Sequence, residues 1–160
     1  MRRLKVALDC DISIRMAAVL GPLYGDRGFE FVHVSEFVPS DTRDEHWADA
    51  FKRFGGYISV SADRNIATKP HKALAFIDNR FIAFFMASAW SRMHGHLKAA
   101  HLAYWWPAME ATIREDKRGV CWQVPCEVKD RDLMLYEVKL RQLRIPDDVL
   151  EQARANSKPA

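Results

Sequence analysis

The stretch LKVALDCDIS, residues 4–13, decides how the rest of the chain is read. Its apolar run, Leu4 to Leu8, has the length of a short buried strand, and it stops where a charge enters at Asp9. Behind it Ile12, Met16, Val19, Leu20 and Leu23 recur at helical spacing, ending near Gly21, Pro22 and Gly25. Strand followed directly by helix is half of a crossover unit, because parallel neighbours need connections of about this length. A carboxylate closing an apolar, central strand is costly unless it is solvated, hydrogen-bonded or metal-bound, so Asp9 requires an explanation from the outset.

The pattern continues outward from this start. Phe29 to Val34, rich in aromatic and β-branched residues, follows Gly28 as a second strand, and a polar loop spans Pro39 to Arg43. From Asp44 the spacing turns helical, with Trp47, Ala48, Phe51 and Phe54 as the stripe and Gly55 and Gly56 as the stop. Tyr57 to Ser61 then reads as a third strand, Pro70 to Asp78 as a short helix and Phe81 to Met86 as a fourth strand. Leu97 to Arg114 predicts a longer helix with Leu97, His101, Tyr104, Trp105, Ala108 and Thr112 along one side, kinked or interrupted at Pro107.

Beyond residue 118 the periods are less distinct. Val120 to Val124 fits a strand, Leu133 to Leu143 mixes both spacings, and Pro146 with Asp147 and Asp148 opens a last short helix, with residues 156–160 as a loose end. Repeated alternation of short strands and helices predicts an α/β protein with a central, mainly parallel sheet of four to five strands. The organisation expected is one domain over residues 1–118 and a C-terminal extension over 119–160.

Composition narrows the class without choosing a function. The 160 residues are 49% hydrophobic, with five Trp and nine Phe, which is ample material for a core and excludes global disorder. A net charge of +3 tolerates a nucleic-acid partner and equally suits proteins that never meet one. Cys10, Cys121 and Cys126 have neither zinc-site spacing nor the density of a disulfide scaffold, which fits a reducing cytoplasm. No apolar run has the length of a signal core or a membrane span, so a soluble intracellular protein is expected.

The acids fall where a parallel sheet would gather them. Asp9 and Asp11 follow the first strand, Asp63 follows the third, and Asp44 and Glu45 open the helix that leads into the third. In such sheets ligands sit beyond the carboxyl ends of the strands, so these side chains converge from distant parts of the chain. Magnesium takes oxygen donors and keeps several waters, so two or three convergent carboxylates are a sufficient protein contribution. Each acid also has an ordinary use. Asp11 suits the cap of the helix beginning at Ile12, Thr42 and Glu45 match a capping box, and Asp63 suits a turn. Their joint placement at strand ends is what those separate uses do not predict.

These residues carry a family likeness. Val6-Ala-Leu-Asp9-Cys-Asp11-Ile-Ser13 resembles the opening strand of PIN-like proteins, where an Asp ends the strand and a polar residue two places on begins the helix. The acid-led segment Asp44-Glu45-His46-Trp47, the break at Gly55-Gly56, the strand Tyr57 to Ser61 and the ending Ser61-Ala-Asp63-Arg64-Asn65 resemble the family's second motif. The likeness spans roughly residues 4 to 115 and is strongest to compact ribonucleases of the VapC toxin type. It implies a PIN-like three-layer α/β/α sandwich and a magnesium-dependent ribonuclease, with Mn2+ as a substitute ion. It further implies a type II toxin with RNA as substrate, an antitoxin protein as partner and a homodimeric assembly. Asp9, Asp44 and Asp63 carry over as the catalytic, metal-holding carboxylates, with Asp11 as a fourth metal ligand. Larger members place another acid on a helix between the first two of these, and no residue here matches it, Glu30 and Glu36 lying in or near a strand.

RNA contact requires cations at the same edge, and Arg64, Arg15 and Lys69 are the candidates, with Arg43 and Lys72 close by. His94, His96 and His101 invite a zinc reading, but the first two fall in an expected loop and His101 lies on the apolar stripe. Trp105 and Trp106 read as packing residues, one of them turned outward at a dimer or antitoxin surface. Two other functions compete. A phospho-receiver would hold magnesium on Asp9 and Asp11 and be phosphorylated on Asp63, and a PIN-like fold retained only for protein binding would leave the acids without a metal.

Overall fold

The computed structural model describes residues 2–39, 41–63, 65, 69–126 and 141–157. Strand β1 (Leu4–Leu8) is the hub of the sheet, paired in parallel with β2 (Phe29–His33) on one side and β3 (Ile58–Ser61) on the other. Beyond β3 follow β4 (Ile82–Met86) and β5 (Val120–Val124), both parallel, and the two-residue β6 (Arg141–Gln142), antiparallel to β5. The order is β2-β1-β3-β4-β5-β6. The five parallel strands meet the expectation, and β6 is an addition that no periodicity announced. Most of the ambiguous stretch from Leu133 to Leu143 lies outside the described residues.

Strand alternation builds two cores. Val6, Leu8, Ile58, Val60, Ile82 and Phe84 point to one face, where α1 (Arg15–Tyr24) and α4 (Gly95–Arg114) cover them with Met16, Leu20, Leu102, Trp105, Trp106 and Met109. Ala7, Ala83 and Phe85 point to the other, under α2 (Asp44–Arg53) and α3 (Pro70–Asp78), which contribute Trp47, Phe51, Ala73 and Phe76. A last helix, α5 (Asp147–Ser157), packs against α3. The result is a three-layer α/β/α sandwich, and strands covered on both faces are necessarily near-continuous apolar runs. Among the described residues no helix is long and apolar enough to cross a membrane.

Several local expectations are corrected. Helix α4 runs through Pro107 without interruption. Proline frees the carbonyl four residues earlier, that of Ala103, and the Tyr24 hydroxyl donates to this carbonyl at 2.8 Å, so the orphaned acceptor is satisfied from α1's last residue. The buried side of α4 holds His101, Leu102, Trp105, Trp106, Met109, Glu110 and Ile113, while Leu97 is 48% exposed. Both tryptophans are buried, Trp106 among Phe29, Phe31 and Tyr24, so neither supplies an outward face. His94 precedes α4 as its N-cap with extended backbone, His96 lies in the helix's first turn rather than in a loop, and His101 is buried with Nε2 2.6 Å from the Pro125 carbonyl. Phe54 is 57% exposed, because α2 ends at Arg53 and the chain turns at once through Gly55, whose φ of +79° a side chain would resist.

Candidate active site

The sheet order reverses beside β1, since the chain goes from β1 to β2 on one side and then to β3 on the other. That reversal opens a crevice beyond the carboxyl ends of β1 and β3, where doubly wound sheets take their ligands. Asp9 leaves β1 at this point, and its amide N–H donates to the Val60 carbonyl at 2.9 Å, so the strand pairing itself fixes the first acid. One Asp9 carboxylate oxygen accepts the Cys10 amide at 2.7 Å.

Asp11 does not cap a helix. Helix α1 begins at Arg15, and its N-cap, Ile14, makes no side-chain capping bond. Instead the Asp11 carboxylate reaches across to β3's end, accepting the Ala62 amide at 3.0 Å and the Ser61 hydroxyl at 3.3 Å. The loop between them is tied on its far side by His33, whose Nε2 lies 2.8 Å from the Ile12 carbonyl.

Asp63 follows the same strand end. Its amide donates to the Ser61 hydroxyl at 3.1 Å, and its carboxylate accepts the Asn65 amide at 2.8 Å, which is the turn role read from sequence. It also takes the Lys72 ammonium in an ion pair, so the turn aspartate is part of the cluster as well. Asp44 arrives from α2's first residue. Its carboxylate accepts the Trp47 indole N–H at 3.1 Å and stands 3.9 Å from the Lys72 ammonium. The expected capping box is absent, because the N-cap is Arg43 and makes no side-chain bond. Glu45 is exposed and lines a groove of about 610 Å³ with His46, Asp49 and His71.

The four acids share one electrostatic environment. Burial pushes the Asp9 carboxyl from its ordinary 3.8 up to about 7, with the charges of Asp11 and Asp44 adding to the effect. Burial also raises Asp11, against the pull of its bonds to Ala62 and Ser61, and raises Asp44 against the Trp47 bond and Lys72. Asp11 is exposed as a residue, yet its carboxyl lies among enough neighbouring atoms for desolvation to lead the causes. Asp63 differs: burial would raise it, but the Lys72 bond, the Asn65 amide and the charge of Lys69 hold it below the usual carboxylate range. The Cys10 thiol is pushed up by burial and by the same acids, which leaves it protonated and a poor nucleophile.

Oxygen-only donors with excess negative charge suit a hard divalent ion. Burial, with mutual repulsion added, raises three of the carboxylates, and a bound divalent ion would offset both effects. As the side chains stand, no group of three or more His, Cys, Asp or Glu residues among the described ones closes into a finished metal site, and Lys72 stands between two of the acids. Of the cations expected to meet RNA, Arg15 is exposed at the start of α1, and Lys69 is exposed just before α3 and close enough to act on Asp63. Arg64 lies outside the described residues. Lys72 gave the weakest signal in sequence, since only its position two residues into α3 brings it to acids from two other elements.

A family model described as a PIN like domain matches residues 4–88, more than half of the chain and the part that carries all four acids and Lys72. Neither the curated proteins nor the solved structures give a match.

Proposed function

The chain belongs to the PIN-like domain family, and from that membership we propose that it is a magnesium-dependent endoribonuclease, the cytoplasmic toxin of a type II toxin and antitoxin pair. What supports the nuclease reading is one observation above the others. Asp9, Asp11, Asp44 and Asp63, drawn from two strand ends and a helix start, act on one another's charge in a single crevice. The proposal includes RNA as substrate, an antitoxin protein as partner and a second copy of the chain as a dimer partner.

On this reading Asp9, Asp44 and Asp63 hold Mg2+ or Mn2+, with Asp11 as a further ligand. Such an ion, when bound, acidifies a water and neutralises charge on the phosphodiester. The chain's own residues do the rest. The Ala62 amide and Ser61 hydroxyl hold the Asp11 carboxylate, the Cys10 amide orients that of Asp9, and the Trp47 indole orients that of Asp44. Arg15, Lys69 and Arg64 attract the RNA backbone from the rim, which sets affinity without choosing bases.

The test is cleavage of a structured RNA by the purified chain with Mg2+ and with excess chelator. Cleavage in Mg2+ alone is expected, and equal cleavage in chelator contradicts the metal. Growth arrest on expression, relieved by the product of a neighbouring reading frame, tests the toxin assignment separately.

A phospho-receiver remains a second reading because its sheet has the same 2-1-3-4-5 order and because Asp63 is paired with a lysine. Incorporation of phosphate into Asp63 from a small phosphodonor would favour it over the nuclease.

A further inference from the structure

We infer that the Lys72 ammonium is the acid cluster's resident cation and competes with the divalent ion for Asp63 and Asp44, so that metal binding requires Lys72 to leave. The inference rests on the proposed metal-holding role of those acids. Lys72 sits in the first turn of α3, where the macrodipole favours acids and opposes a cation. Nothing within the helix therefore accounts for its placement, and the cluster does: its ammonium pairs with Asp63 from β3's end and stands 3.9 Å from Asp44 on α2. Among the described residues no other Lys, Arg or His is in ion-pair contact with any of the four acids.

A divalent ion and the Lys72 ammonium would be drawn to the same two carboxylates and would crowd each other there. A divalent ion on Asp63 and Asp44 would face an ammonium at near-contact distance in a partly desolvated crevice, where like charges repel strongly. The lysine is built to yield. Its side chain is 28% exposed and rides on a flexible four-carbon stem, so a turn about its own bonds carries the charge into solvent without moving α3. Lys72 thus acts as a tethered competitor that keeps the metal-free crevice from accumulating uncompensated charge and sets the concentration of metal needed to load it.

Titration calorimetry with Mn2+ alone at pH 8 tests this on the whole chain, comparing wild type, Lys72→Met and Lys69→Met. Lys69 is the control, because it influences Asp63 only through space. Lys72→Met is expected to bind Mn2+ about tenfold tighter than wild type, and Lys69→Met to change affinity by about twofold at most. Lys72→Arg, which keeps the charge, is expected to stay near wild type. Thermal melting without metal establishes that each variant folds. Unchanged or weaker binding by Lys72→Met overturns the inference while leaving the metal site intact, as does an equal gain in Lys69→Met. Absence of Mn2+ binding in every variant at millimolar metal overturns both the inference and the proposed metal-dependent function.

Discussion

The Asp11 carboxylate accepts the Ala62 amide at 3.0 Å, joining the loop after the first strand to the loop after the third across 51 positions of sequence. Strand pairing brings Leu8 beside Val60, and this bond continues the alignment past the point where the sheet ends. Backbone pairing therefore fixes where Asp9 leaves β1 relative to β3's end, and the Asp11 carboxylate extends that alignment, while Asp44 is brought in by α2.

If that bond aligns the two loops, the geometry of residue 11 matters more than its charge. Asp11→Asn keeps an oxygen for the Ala62 amide and relieves repulsion with its neighbours, whereas Asp11→Ala leaves the amide without a partner. Urea unfolding without metal is expected to find Asp11→Ala less stable than Asp11→Asn by about 1 kcal/mol. Equal stabilities would mean that the bond does not hold the loops.

The raised Asp9 carboxyl has a definite signature in pH. Between its ordinary value of 3.8 and about 7, the folded chain retains a proton that the unfolded chain has released. Its contribution to stability is thus fully present below about pH 4 and is lost as the pH rises to 7, at up to about 1.4 kcal/mol per pH unit. Asp9→Asn cannot lose that proton and is expected to be the more stable chain at pH 8 without metal, by a margin that vanishes toward pH 4. Asp63, held low by Lys72, works the opposite way: its contribution is present at neutral pH and disappears as acid protonates it.

If Arg15 and Lys69 are phosphate contacts, removing either weakens RNA binding without altering sequence preference. In the Asp63→Asn background, chosen because it is expected not to cleave, Arg15→Ala or Lys69→Ala is expected to lower the slope of log affinity against log salt by about one each. Fluorescence anisotropy with a labelled RNA at several salt concentrations reads this directly. An unchanged slope assigns the residue to ordinary solvated surface.

Much of the fold was legible because the sheet is covered on both sides. Val6 to Leu8 and Phe81 to Met86 are apolar without a break, and such runs between helical stretches have few other meanings. The acids were legible as a group for a related reason, since strand ends in a parallel sheet share an edge. What periodicity missed depended on contacts remote in sequence. Nothing near Pro107 says that Tyr24 will satisfy the carbonyl it frees, and nothing near Asp11 distinguishes a helix cap from a bond to Ala62. Trp105 and Trp106 are both buried because α4 packs over a broad stretch of the sheet, whereas a single stripe was expected. Lys72 was one cation among several until α3 carried it to Asp63.

The most direct test of the account is Mg2+-dependent cleavage of RNA by Asp63→Asn at pH 8, measured in single turnover beside wild type. The substitution removes a charge and almost no volume, and an unchanged circular dichroism spectrum and melting profile would establish that the fold is retained. The account predicts a loss of about a hundredfold or more in rate, in line with what positioned carboxylates and their metal contribute to hydrolysis. Cleavage at the wild-type rate by a folded Asp63→Asn chain would contradict it.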